Sequence, residues 1–171
     1  NLTKEKNPQI PESVTGCETD ICHRLAGGNP HRAFVGDPFD KESFGVFHEP
    51  IAEALIQYLP RSEIMDMTGC QFQELIHSLD QNKAPIIIWM TLELKEPRVT
   101  DRWPDCKNPE HIIEWRSPEH CALLVGFDED STGITHVIVN DPHTGKQERY
   151  PMLLFKQRWM EMGSQAVTVK L

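Results

Sequence analysis

SPEHCALLVGFDEDSTGITHVIVNDP, residues 117–142, holds two apolar runs, CALLVGF and ITHVIVN, on either side of the polar cluster DEDSTG. Apolar and β-branched residues flanking a turn-forming cluster that ends in glycine signal a β-hairpin. With residues 128–133 as the loop, its midpoint falls between Asp130 and Ser131, and antiparallel pairing sets His120 opposite Asp141. Directly opposed residues project to one face. A carboxylate there could accept the Nδ1–H of the imidazole, fixing its tautomer and raising its basicity. The inference depends on register, because a slip of one residue separates the two side chains. Ala122, Leu124, Val137 and Val139 are expected on the face of the pair. Leu123, Val125, Phe127, Ile134 and Ile138 are expected on the other, so that both faces read as buried, as in central strands. The plain alternative is a strand-end histidine and a turn aspartate held extended by Pro142.

Outward from the hairpin, IIEW at 112–115 reads as a short strand and 85–92, around IIIWM, as a buried one. The stretch 93–111 reads as a long irregular loop or lid containing Trp103. Helices are expected over 49–59, with Ala52, Leu55, Ile56 and Leu59 on one face; over 71–81, with Phe72, Leu75, Ile76 and Leu79; and near 151–162. QAVTVKL is a terminal strand. Residues 1–15 form an extended lead-in, and CETDICHRLAGG a short helix from Cys17 that stops at Gly27-Gly28. Helices first and an antiparallel sheet after them indicate an α+β fold.

The chain has 171 residues, enough for a sizeable core in a single domain, 1–171, and its net charge of −9 counts against nucleic acid as a partner. No apolar run reaches the about 18 residues of a membrane span. The chain starts NLTKEKN, without Met, so a native start is expected to precede it. Five cysteines, an odd number without CxxC, leave at least one thiol free or intermolecular. Cys17 stands at a helix start, where the dipole and free N–H groups favour the thiolate; the ordinary alternative is a small buried residue.

QIPESVTGCE, FVGDPFDKESFGVFHEPIAEAL, PIIIWMTL, IEWRSPEHCALLVGFD, VNDPHTGK and GSQAV occur in that order through nearly the whole chain. Together they resemble the papain-like cysteine peptidases related to the bacteriocin-processing, double-glycine leader peptidases, in the stand-alone bacterial branch. The resemblance implies a papain-like fold with N-terminal helices packed on an antiparallel sheet. It matches Cys17 in TGCE to the nucleophile, His120 in SPEH to the general base and Asp141 in NDP to the orienting acid. Gln9 falls where the family has a glutamine able to donate to an oxyanion. It implies a peptide or protein substrate, no cofactor, no metal, and an extracellular or cell-surface bacterial setting. The helix CETDICHRL departs from the family pattern in being short, which leaves a substrate-side wall open. LAGG also looks like a double-glycine cleavage site, with a helix cap and loop as the plainer reading.

Two other classes compete with a peptidase. One is a peptide-binding module with a decayed site; the same site logic also serves a cysteine-dependent amidase or acyltransferase. The other is a metal site from Cys17, Cys22, His23, His120 and Cys121, whose adjacent pairs diverge in regular structure. Trp89, Trp115 and Trp159 suit core or cleft walls. His31, His48, His77, His111, His136 and His143 are expected to be solvated or packed.

Overall fold

The computed structural model describes residues 27–40 and 43–170. The chain divides into two compact units, residues 1–50 with 99–115, and residues 51–98 with 116–171. The architecture is α+β, as the order of elements indicates.

The second unit is built on one antiparallel sheet. Its strands are β1 (Ile64–Asp66), β2 (Ile86–Thr91), β5 (Glu119–Asp130), β6 (Gly133–Asp141), β7 (Lys146–Pro151) and β8 (Ala166–Val169), in spatial order β1-β8-β2-β5-β6-β7. Helix α2 (Phe72–Asn82) turns Phe72, Leu75, Ile76 and Leu79 inward, the stripe its spacing predicts. Helix α3 (Met152–Glu161) buries Phe155 and Trp159. These side chains meet Ile86, Ile88 and Met90 of β2, Ala122 and Leu124 of β5, and Val137 and Val139 of β6 in one core. The Trp159 indole N–H is satisfied inside it by the carbonyl of Gln165 at 3.0 Å. Helix α1 (His48–Leu55) is shorter than expected, the chain continuing in tighter turns to Tyr58; Ala52, Leu55, Ile56 and Leu59 are its half-buried face.

In the first unit, β3 (Arg98–Asp105) and β4 (Asn108–Ser117) form a two-stranded hairpin where a loop or lid was expected over 93–111. Proline and charge hid it: Pro104 and Pro109 remove donors, which only an edge or a two-stranded ribbon tolerates. The turn is closed by the side chain of Asp105, which accepts the N–H of Lys107 at 2.9 Å. Trp103 anchors this hairpin, its indole N–H donating to the carbonyl of Gly28 at 2.7 Å. Gly27 sits in a parallel bridge to Asp105, and a Cβ there would lie 2.5 Å from Trp103 Cδ1. Gly27 therefore serves close packing against Trp103. Phe47 stacks on Trp115 with ring centres 5.5 Å apart, and Phe44 fits against Trp103 and Trp115.

Asp105 is 1 % exposed and binds Asn29 Nδ2 at 2.9 Å and the Arg32 guanidinium. Burial opposes its charge, but the Lys107 N–H, Asn29 and Arg32 outweigh that and hold the carboxyl well below the usual range.

Candidate active site

His120 stands at the second position of β5 and Asp141 at the last of β6, so the hairpin brings together two residues remote in sequence. The pairing differs from expectation in a way that preserves the result. The strands run closer to the turn, with Asp130 opposite Gly133, so the loop centres on Ser131 and Thr132. Leu123 pairs with Asn140, and the ladder continued one step sets Ala122, not His120, across from Asp141. His120 is displaced by two residues, and an even displacement keeps a side chain on its face. The pair meets on the diagonal, His120 Nε2 to Asp141 Oδ1 at 2.8 Å.

Two bulges tune this ladder. The pairing skips Thr135 on β6 and Val125 on β5, and one extra residue on each strand leaves the net register unchanged. On the turn side of its bulge each strand's alternation is inverted, so Phe127 and Ile134 pack on the helix side, contrary to the strict alternation expected from sequence. Leu123, Val125 and Ile138 on the reverse face are half-buried.

Asp141 is 3 % exposed and, among the described residues, its side chain holds three donors. Oδ1 accepts His120 Nε2 and the backbone N–H of His143 at 2.8 Å; Oδ2 accepts the Tyr150 hydroxyl at 3.2 Å. Burial works against its charge, yet the His143 N–H, His120 and Tyr150 together keep its carboxyl below the ordinary value. An ionised carboxylate can only accept, so the His120 proton resides on Nε2. Expectation placed the contact at Nδ1. The opposite nitrogen makes it, and Nδ1 is left clear of Asp141.

Tyr150 stands on β7, a strand with no apolar run to announce it. Its signal is DPHTGK between ITHVIVN and QERY, a turn cluster with Gly145 at φ +66° joining a second hairpin. Val137 pairs with Tyr150 on that ladder, placing the phenol on the face of Asp141. Burial, then the charge of Asp141, pushes the phenol up to about 12, so it remains a donor.

Cys121, next to His120, belongs to the reverse face opposite Trp89. Burial, with the charge of Glu119 second, pushes its thiol up to about 12, which removes it as a nucleophile near neutral pH. Burial likewise raises the Cys70 thiol, with Glu74 adding to it. A cavity of about 650 Å³ is lined by Ile87, Cys121, Leu123, Pro142 and also Asp141, but not by His120. Cys17 and Gln9, and Cys22 and His23 of the metal alternative, lie outside the described residues. Among the described residues no helix is long and apolar enough to cross a membrane.

The model of the Peptidase_C39 like family matches residues 5–167. The uncharacterised protein YvpB of Bacillus subtilis (strain 168) is 28 % identical over 143 residues, covering 84 % of this chain and 53 % of that protein. The chain thus spans about half the length of this curated relative. A crystal structure of a candidate C39-like peptidase from Bacillus anthracis superposes with a TM-score of 0.72 at 27 % identity, covering 85 % of this chain and 70 % of that one.

Proposed function

The chain belongs to the Peptidase_C39-like family, and from that membership we propose that it hydrolyses peptide bonds as a cysteine peptidase, with Cys17 as nucleophile, His120 as acid and base, Asp141 as orienting acid and Gln9 as oxyanion donor. The observation that carries this reading is the 2.8 Å contact between His120 Nε2 and Asp141 Oδ1, which commits one ring nitrogen and leaves the other for a thiol.

In this mechanism Cys17 gives its proton to His120 Nδ1, and the thiolate attacks the peptide carbonyl carbon. The oxyanion is held by the side-chain amide of Gln9 and the backbone N–H of Cys17. The imidazolium returns its proton to the leaving amine as the C–N bond breaks, leaving a thioester. Water, deprotonated by His120, then attacks the thioester and frees the acid and the thiol. Asp141 stays ionised throughout and stabilises the imidazolium electrostatically.

The test is the pH profile of Cys17 alkylation, mapped by mass spectrometry with Cys106 replaced by serine, since Cys106 is an exposed free thiol. Cys17 should react well below the about 8.5 of a free thiol, and Asp141→Asn should shift its profile upward. Cys17→Ala should abolish hydrolysis of a peptide library and keep the thermal melt of the parent. A Cys17 that titrates like a free thiol, identically in both proteins, would falsify the assignment.

A further inference from the structure

His31 lies in the turn that follows Asn29, and His48 and Glu49 open α1. His31 Nδ1 is 2.8 Å from Glu49 Oε1 and 3.0 Å from Oε2, and His48 Nε2 is 3.2 Å from the same Oε1. One ligand atom from each residue falls within 4.8 Å of the other two. The segments that carry them are stitched together beside the cluster. The Phe47 N–H donates to the Pro30 carbonyl at 2.9 Å, and the His31 N–H to Asn29 Oδ1 at 2.9 Å. The His31 ring is braced by the edge of Phe47, with centres 4.8 Å apart. The His48 side chain is 13 % exposed, while His31 and Glu49 are 45 % and 41 % exposed, so the cluster is backed by protein on one side and open to water on the other.

We propose that His31, His48 and Glu49 form a binding site for a divalent first-row transition ion, with zinc the best match. Two imidazole nitrogens and a carboxylate oxygen are a zinc donor set, and the open side supplies water as fourth ligand. Tetrahedral bonds of about 2.0–2.1 Å put neighbouring donors about 3.3 Å apart, close to the 2.8 Å and 3.2 Å from Glu49 Oε1 to the two rings. Calcium and magnesium, which take oxygen ligands, do not suit the two imidazoles. On binding, any proton on the nitrogen that faces Glu49 is released to water or moves to the other ring nitrogen, so each imidazole coordinates as the neutral ring through a lone pair, without change of oxidation state. The ion would tie the start of α1 to the turn at residues 29–32, closing the loop between them. None of these three residues has a role in the peptidase reading, and the proposal does not depend on it.

The experiment is a titration of the chelator-treated, full 171-residue chain with cobalt(II), followed by visible absorption, with melts in the presence of zinc. The expected result is saturation at one ion per chain without a sulfur-to-cobalt charge-transfer band, and a rise in melting temperature with zinc. His31→Ala and Glu49→Gln should each weaken cobalt binding about tenfold or more and remove the zinc-dependent rise, while melting like the parent without metal. Two variants guard against one that fails to fold. An isotherm unchanged in both variants, a sulfur band marking cysteine as the ligand, or saturation only at millimolar cobalt overturns the proposal.

Discussion

Asp141 remains ionised although almost no solvent reaches it, and the three donors around it are the reason. Tyr150 supplies the one on Oδ2 and acts on His120 only through Asp141. Tyr150→Phe removes that donor and keeps the ring. It should lower kcat about fivefold, on the order of 1 kcal/mol, with KM unchanged. The alkylation profile of Cys17 should move upward by less than in Asp141→Asn. A Tyr150→Phe protein with parental kcat and profile would show that Asp141 is held by the other two donors alone. The contrast with Cys121 is instructive. It adjoins His120 in sequence, but strand alternation sends it to the reverse face, where burial suppresses its acidity. Adjacency in sequence is no guide to partnership in a strand.

At the scale of the element, the β5–β6 hairpin shows what periodicity conveys and what it omits. Alternation correctly puts Ala122, Leu124, Val137 and Val139 on one face with the His120–Asp141 pair. It misplaces Phe127 and Ile134, because the bulges at Val125 and Thr135 each invert the phase of their own strand on the turn side and leave no mark in a hydropathy pattern. The bulges make opposite predictions for two length changes. Deleting Val125 leaves Gly126 opposite Ile138 and Leu124 opposite Val139 in one continuous ladder. The variant should retain the alkylation profile of Cys17 while losing about 1–2 kcal/mol of stability from altered twist. Inserting one alanine after Cys121 turns His120 to the reverse face, and the low-pH reactivity of Cys17 should disappear. If both variants label alike, the hairpin register does not govern the site.

Across the whole molecule, stability should depend on pH through carboxyls moved in opposite directions. Asp105 and Asp141 are depressed, so the stability they contribute is present above the unfolded value, about 3.9, and is lost as pH falls through their folded values. Glu119 is raised to about 8 by burial. Its contribution is present in full below the unfolded value, about 4.3, and is lost as pH rises toward 8, because the unfolded chain ionises while the folded one resists. Urea unfolding should therefore show greatest stability near about pH 5 and decline on both sides. Glu119→Gln should flatten the limb above pH 5, gaining on the order of 2–4 kcal/mol at pH 8, and leave the acid limb intact. An unchanged alkaline limb would place the cause of the decline elsewhere.

The α+β class, helices α2 and α3, strands β2 and β8, and the meeting of His120 with Asp141 follow from the sequence by itself. Each rests on a local signal: Phe72, Leu75, Ile76 and Leu79 at helical spacing, a continuous apolar IIIWM, and a turn cluster between two apolar runs. The assignments of Cys17 and Gln9 rest on sequence alone. Tertiary structure decided what local pattern does not encode. It selected Nε2 rather than Nδ1 and set the diagonal register. It also paired β3 with β4 despite Pro104 and Pro109, and added Tyr150 through β7. It gathered His31, His48 and Glu49 from two segments with no common motif. The physical reason is the same throughout. Propensity and hydropathy specify which face of an element is buried, but the partner a polar side chain meets is set by bulges, turn placement and long-range pairing, whose energies are summed over the whole sheet.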